Sequence, residues 1–397
     1  MNNLVKSFMA IMLATVSLSC AICLTGCKLG KEEKADFFPT VTIAQANGEV
    51  EYTPVIDGNP QKITLPLLSG DIYTVSKNYQ QCITDNYNPN YEDCFAPTPL
   101  VVSWTSEETP LYYTFDISTN KNMSNPESYI TTENTITLKY LFMGYDYYYR
   151  ISAKFEDKLI KSRIFEFSTE YLPRTVFIDQ KVSNTRDWGG YLTSDGKRVK
   201  QGIVYRGGEI ENITEQGKSI MLTDLGIVTD LDVRGDGATQ KTQSPLGKDV
   251  NYIEVKGPYY VGRYGQGIDL ESYQAGLAMA IRTFANADNF PVYVHCSLGR
   301  DRTGTLCFLI QALLGVGEKD IFRDYELSMM ARTGKDINNP NSQASYMVRF
   351  PFQALYDYVK NLDAGKTLQE NAETFIRSLG ITKAEIKAIK KNMLAEG

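Results

Sequence analysis

Two patterns of apolar and polar positions divide the chain. Between residues 38 and 172 the apolar positions fall in short β-branched or aromatic runs, at 101–104, 112–118, 135–141, 147–155 and 164–169, separated by turn residues. Runs of that length and composition predict strands. Tyr147, Tyr149, Ile151 and Ala153 interleave with Tyr148, Arg150, Ser152 and Lys154, a period of two that buries one face of a strand and wets the other. Residues 38–172 are therefore expected to form an all-β sandwich. Beyond Pro173 the period changes: strand-like runs at 203–205, 227–233, 252–255 and 292–295 alternate with helical periodicity at 272–285, 305–314 and 320–330. Two further helices open on Thr367-x-x-Glu370 and Thr382-x-x-Glu385, the capping-box pattern in which each residue serves the other's backbone N–H. The fold class expected is thus multidomain, with an N-terminal all-β sandwich followed by a C-terminal α/β domain at 173–397 whose central sheet is flanked by helices.

Composition narrows the functions open to such a chain. Hydrophobic residues make up 43% and charged residues 22% of the 397, which excludes collagen, long disorder and a polytopic membrane protein. Lys plus Arg total 41 against 47 for Asp plus Glu, a net charge of −6, so there is no basic excess for generic nucleic-acid binding and any anion must be held locally. A single histidine, His295, excludes zinc sites built on two or three imidazoles, and no metal site is expected. At the N-terminus, Asn2, Asn3 and Lys6 precede an apolar run at 8–23 and then Leu24-Thr25-Gly26-Cys27, the three sections of a signal peptide. Its ending resembles the lipobox of bacterial lipoproteins. That resemblance implies a signal peptide at 1–26, lipidation of Cys27, a tether at 27–37, and attachment to a membrane of the bacterial cell envelope through the lipid anchor. A retained transmembrane segment is the alternative, since about 18 apolar residues just span a bilayer. Cys82 and Cys94 sit in the polar segment 81–95, and spacing alone leaves a disulfide between them open. The same segment is rich in Asp and Asn but lacks the glycine and alternating ligands of an EF-hand calcium loop.

The chemistry concentrates in Pro291-Val292-Tyr293-Val294-His295-Cys296-Ser297-Leu298-Gly299-Arg300-Asp301-Arg302-Thr303-Gly304-Thr305. An apolar strand delivers a cysteine at its carboxyl end, five residues follow, and Arg302 opens an apolar helix. A tight strand-to-helix loop turns backbone N–H groups inward, the helix N-terminus adds partial positive charge, and a planar guanidinium binds two oxygens at once. Residues Ser297, Leu298, Gly299, Arg300, Asp301 and Arg302 would then form a phosphate cradle with Cys296 at its floor. The same field lowers a thiol pKa, and Thr303 is placed to hydrogen-bond the thiolate. Gly299-x4-Gly304 fits the spacing of a nucleotide P-loop, but Thr305 stands where that motif needs Lys. A rhodanese-like sulfur-transfer loop and an ordinary buried thiol are the other readings. The Arg-Thr-Gly after the loop fits phosphate better than either.

His-Cys-x5-Arg-Thr-Gly resembles the signature of the cysteine-dependent tyrosine and dual-specificity phosphatases, and Gly-Arg-Asp-Arg-Thr-Gly is most similar to their bacterial branch, which acts on phosphoprotein and phosphoinositide. Asn184-x-Arg186-Asp187-x-Gly189-Gly190-Tyr191, Asp195-Gly196, Gly202-x-x-Tyr205-Arg206-Gly207-Gly208, Asp232-Val233-Arg234 and Asp324-Tyr325-Glu326-Leu327-Ser328 match the same branch. Gly207 stands where the family often has Ser, Arg300 where Lys is common, and 333–345 looks like an inserted loop. The resemblance implies that the Cys296 thiolate attacks phosphorus, that Arg302 and the N–H groups of 297–302 bind the equatorial oxygens, and that water hydrolyses a phosphocysteine with neither metal nor cofactor. His295 is expected to orient the loop. The general acid is Asp301, Asp232 or Asp269, with Asp301 favoured because the bacterial branch carries an aspartate there. The substrates implied are phosphotyrosine or other phosphoprotein and phosphoinositide. Inositol polyphosphate is an alternative, for which Arg300 at the pocket mouth would meet a second phosphate, and a non-catalytic phosphate-binding or adhesion module is another. Residues 95–170, with Trp104 and the closing Phe167-Ser168-Thr169, resemble a fibronectin type III domain and are read as a spacer or docking module.

Overall fold

The computed structural model describes residues 37–38, 40–45, 51–52, 62–63, 99–169, 174–235, 242–262, 267–328 and 349–395. The candidate signal peptide, Cys27, the loop of Cys82 and Cys94 and the segment 333–345 lie outside them. The chain divides into two compact units, one containing 100–137 and 147–167 and the other 138–146 and 168–397. Among the described residues no helix is long and apolar enough to cross a membrane.

Among the described residues ten strands precede residue 170: β1 Val41–Gln45, β2 Glu51–Tyr52, β3 Lys62–Ile63, β4 Leu100–Trp104, β5 Tyr112–Ser118, β6 Glu127–Thr131, β7 Thr135–Leu138, β8 Asp146–Lys154, β9 Leu159–Lys161 and β10 Phe165–Thr169. They form one sheet ordered β2-β1-β4-β7 and a second ordered β3-β10-β8-β5-β6, with β9 paired to β8. Tyr147, Tyr149, Ile151 and Ala153 are buried, as the alternation requires, while on the face expected to be wet Ser152 is buried too and Tyr148, Arg150 and Lys154 are half-buried. Within the first unit, rings stack in a row from Trp104 to Phe115, Tyr149 and Phe165 at centroid spacings of 6.4, 5.3 and 5.2 Å, so the aromatic richness of this region goes into packing. Strands β6 and β9 were not legible as apolar runs. In β6, Ile130 is 74% exposed, so the strand is held by its ladder to β5 and carries no buried face for a pattern to reveal.

Among the described residues the second unit contains a five-stranded sheet made of β11 Arg186–Asp187, β12 Val204–Gly207, β13 Thr229–Asp232, β14 Asn251–Glu254 and β15 Val292–His295, ordered β11-β12-β15-β13-β14. Strands β12, β15, β13 and β14 run parallel and β11 is antiparallel to β12. The helices are α1 Glu215–Ser219, continued by a π-helical turn Ile220–Asp224, then α2 Glu271–Thr283, α3 Asp301–Leu314, α4 Glu318–Leu327, α5 Arg349–Lys360, α6 Leu368–Ser378 and α7 Lys383–Met393. Central β15 is buried along its whole length, as a strand covered on both faces must be. Val292 and Val294 join the larger core with α2, α3 and the C-terminal helices, while Tyr293 joins a smaller core with Tyr205, Ile210 and Met221. Every residue of α3 is buried, and Gly315 at φ 81° ends it in the left-handed conformation that glycine tolerates. Both C-terminal capping boxes form reciprocally. Helix α3 begins four residues before the predicted 305, because Asp301 to Gly304, polar and glycine-containing in sequence, are already helical.

Candidate active site

The parallel register sets Gly207, His295 and Asp232 level at the carboxyl ends of three adjacent strands. The loop from Cys296 to Arg302 leaves the middle strand and enters α3, so the segments following β12 and β13 flank it. This is the crevice at strand ends where α/β sheets bind ligands.

Four consecutive carbonyls of the loop are tied outward. Cys296 O lies 3.4 Å from His295 Nδ1, and Ser297 O accepts from the Glu209 N–H at 3.2 Å. Leu298 O accepts from Asn184 Nδ2 at 2.8 Å, and Gly299 O from Arg206 Nη2 at 2.8 Å. Carbonyls engaged in this way suit a loop whose N–H groups bind an anion. Gly299 sits at φ 65°, where a Cβ would lie 2.2 Å from Gly207 O, so both its conformation and its close approach require glycine. At Gly207 a Cβ would fall 2.2 Å from the Tyr293 hydroxyl oxygen. Here Tyr293, bonded to Gly208 O at 2.8 Å, fills the space a serine would take, which accounts for that departure from the family pattern.

Beneath the loop Asp324 accepts from Arg186 Nε at 2.8 Å, Arg206 Nη1 at 2.5 Å and Gln311 Nε2 at 3.3 Å. Arg186 also donates to Asn184 Oδ1 at 2.5 Å, fixing the amide that holds Leu298. The three charged side chains are each 1% exposed. Two guanidinium groups against one carboxylate leave an excess positive charge under the cradle. Cys307, next to them, does not offset it: burial pushes its thiol up to about 12, despite Arg206.

The Cys296 thiol answers differently. Burial acts to raise the Cys296 thiol, but the Arg302 charge and hydrogen bonds from the Thr303 side chain and backbone outweigh it, so the thiol lies below its ordinary value. The buried Thr303 hydroxyl has no other partner among the described residues. Arg302 is fixed on several sides: Nη1 donates to Arg234 O at 2.9 Å, Nη2 reaches Ser297 Oγ at 3.5 Å, and the Tyr259 ring lies 4.9 Å from its Cζ.

The other residues singled out in the sequence lie in different settings around the loop. His295 Nε2 is 2.9 Å from Asp230 Oδ1, in a poorly aligned ion pair. Burial works to lower the imidazole, yet Asp230 raises it to about 9. Asp232, named as an acid, is fully buried; against burial, the bonds from Arg234 hold its carboxyl down at about 2. A proton donor needs the opposite. Arg300 has a side chain 9% exposed, with its Nε and Nη2 both 3.2 Å from Asp301 Oδ2. Its backbone lies in the loop between Gly299 and Asp301. Asp269 is exposed and accepts from the Gly262 N–H at 2.9 Å. Asn184, Arg186, Arg206, Arg234 and Asp324 were legible as motif residues without roles. Asp230 and Tyr259 carried no signal, being ordinary residues until the fold places them.

The sequence matches the tyrosine phosphatase family over residues 179–395. A Cupriavidus necator protein named as a tyrosine-protein phosphatase is 27% identical over 165 residues, covering 36% of this chain and 59% of the relative's own length. Two solved structures align at a TM-score of 0.25 each. One is the core catalytic domain of the PP-IP phosphatase SIW14 from S. cerevisiae in complex with citrate, at 14% identity over 44% of this chain and 94% of that one. The other, a Siw14 catalytic core, aligns at 17% identity over 40% and 89%. The family match takes in more than half of the chain and the whole of the cradle around Cys296, and on that ground the chain belongs to the tyrosine phosphatase family.

Proposed function

We propose that the protein hydrolyses phosphomonoesters through a phosphocysteine at Cys296, on phosphotyrosine or other phosphoprotein or on phosphoinositide. One observation carries the reading: a loop whose four carbonyls are tied outward surrounds a thiol held below its ordinary pKa, with Arg302 alongside. The sulfur attacks phosphorus as the ester P–O bond breaks. Arg302 and the loop N–H groups take the charge gathering on the equatorial oxygens. Asp301, in the first turn of α3, protonates the leaving oxygen, since Asp232 is held by Arg234. Water then attacks the S–P bond, returning thiolate and phosphate. The fixed positive field supplies the stabilisation that metal ions give in other phosphoryl transfers. With Arg300 paired to Asp301, inositol polyphosphate stands as the second reading.

The lipobox-like Leu24-Thr25-Gly26-Cys27 supports a lipid-anchored protein of the bacterial cell envelope, with an all-β, fibronectin type III-like N-terminal region as spacer. Rapid quench with a radiolabelled substrate is the deciding experiment: wild type accumulates an acid-stable phosphocysteine, while Cys296→Ser binds phosphate and retains under about 1% of turnover. A wild type that binds phosphate yet forms no covalent phosphate would make the protein a binding module.

A further inference from the structure

Asp232 is the group whose place in the fold departs furthest from its sequence-level role. It ends β13, and its carboxylate accepts from the Arg234 N–H at 2.9 Å, from Arg234 Nε at 2.9 Å by Oδ1 and 3.1 Å by Oδ2, from Arg234 Nη2 at 2.6 Å, and from the Tyr252 hydroxyl at 3.1 Å. The first of these closes a turn over residues 232–234, the local geometry short acidic side chains favour. The others fold the Arg234 side chain back over that turn. The next residue, Gly235, sits at φ 39°, where a Cβ would lie 2.3 Å from the Val255 carbonyl, so the chain exits along one course. The product of this turn is a carbonyl: Arg234 O points to Arg302 Nη1 at 2.9 Å. The guanidinium of Arg234 is held at its far side by Glu209 at 3.1 Å and by Glu211. Glu209 meanwhile gives its own N–H to Ser297 O in the loop. A single cluster thus touches the cradle at both ends, at Ser297 and at Arg302.

We propose that Asp232 and Arg234 are positioning residues that set the plane of the Arg302 guanidinium through the Arg234 carbonyl. A guanidinium turns about its terminal bonds, and bidentate binding of a phosphoryl group needs one orientation of its fork. The Tyr259 ring covers a face of the group without fixing its rotation in plane; a carbonyl acceptor on one Nη fixes it. Asp232 therefore serves the reaction as a fixed anion, and the proton comes from another group. This inference rests on the reading of the loop as a phosphate cradle, and goes beyond it by separating orientation of Arg302 from acid catalysis.

The test uses the full chain, with orthophosphate as probe. In the Cys296→Ser background, Asp232→Asn is expected to weaken phosphate binding about tenfold or more, as befits loss of charge-assisted bonds that hold the turn. Asp232→Asn combined with Arg302→Lys should add little beyond Arg302→Lys alone, because both act at one guanidinium. In the active enzyme, Asp232→Asn is expected to lower kcat/KM by the same factor for p-nitrophenyl phosphate and for a poorer leaving group, and to leave the basic limb of the kcat–pH profile in place. Arg234→Lys, which keeps the charge but loses the fork, should reproduce the binding loss, and it decides the matter if Asp232→Asn does not fold. Unchanged phosphate affinity in both variants, additive losses with Arg302→Lys, or a lost basic limb with a selective penalty on the poor leaving group would each overturn the proposal, the last by making Asp232 the acid. Phosphate binding that behaves as expected in a wild type without turnover would refute the phosphatase reading and leave the positioning role supported.

Discussion

Replacing Asp324 by Asn tests how the cradle is supported. The substitution keeps the side chain's shape but removes the carboxylate shared by Arg186 and Arg206, both as buried as Asp324 itself. One oxygen remains to accept a single guanidinium, and the new amide N–H faces the other. Breaking a buried ion pair by removing one partner costs about 3–5 kcal/mol, chiefly because it strands the remaining charge in low dielectric. At about 2–4 °C per kcal/mol for a domain of this size, the unfolding midpoint of the second unit should fall by about 6–20 °C. Function should fall with it, since Arg206 holds Gly299 O only while its other end is anchored. The pH dependence carries its own sign. Burial would raise the Asp324 carboxyl, but Arg206 and Arg186 hold it below its ordinary value. Its contribution is therefore present above about pH 4, the unfolded value, and is lost as pH falls through the lower folded value. Thermal unfolding of wild type and Asp324→Asn, with and without orthophosphate, measures both effects. A midpoint within 2 °C of wild type at pH 7, by the ~2–4 °C per kcal/mol scale, or an unchanged gain on adding phosphate, would refute the view that this hub supports the loop.

Other consequences follow from single contacts. Because Asp230 raises the His295 imidazole to about 9, the pair's contribution is full below the unfolded pKa of about 6.5 and is lost as pH rises through the folded value; wild type should lose stability on going from pH 6.5 to above 9, and Asp230→Asn should flatten that slope in a thermal-unfolding series. Gly207→Ser should destabilise by about 1–3 kcal/mol through overpacking, and Tyr293→Phe, which removes the oxygen 2.2 Å from the new Cβ, should recover part of it; a fully stable Gly207→Ser would contradict the stated clash. Arg300→Ala should lower kcat/KM alike for singly and doubly phosphorylated substrates, since its guanidinium engages Asp301, and a loss confined to the doubly phosphorylated one would return it to the pocket mouth.

What the sequence by itself determined is what short stretches encode. The period of two along Tyr147–Lys154, the reciprocal caps at Thr367 and Thr382, and the seven residues from Cys296 to Arg302 each depend on near neighbours, and each is where the pattern puts it. The loop that places Cys296 beside Arg302 was legible because a thiol, a tight turn and a helix start lie close in sequence there. Only the tertiary structure decided what holds that cradle. Asn184 reaches Leu298 across 114 residues, Arg206 reaches Gly299 across 93, and Arg234 meets Arg302 across 68. In each of these the acceptor is a backbone carbonyl, which every residue type carries and which therefore leaves no mark on the sequence. The same holds for charge. Asp232, Asp269 and Asp301 are the same letter, but one is buried under four donor atoms, one is exposed on a loop, and one is paired at the start of a helix. A carboxylate's role as acid or as anchor is set by burial and partners, and these exist only once distant strands lie side by side.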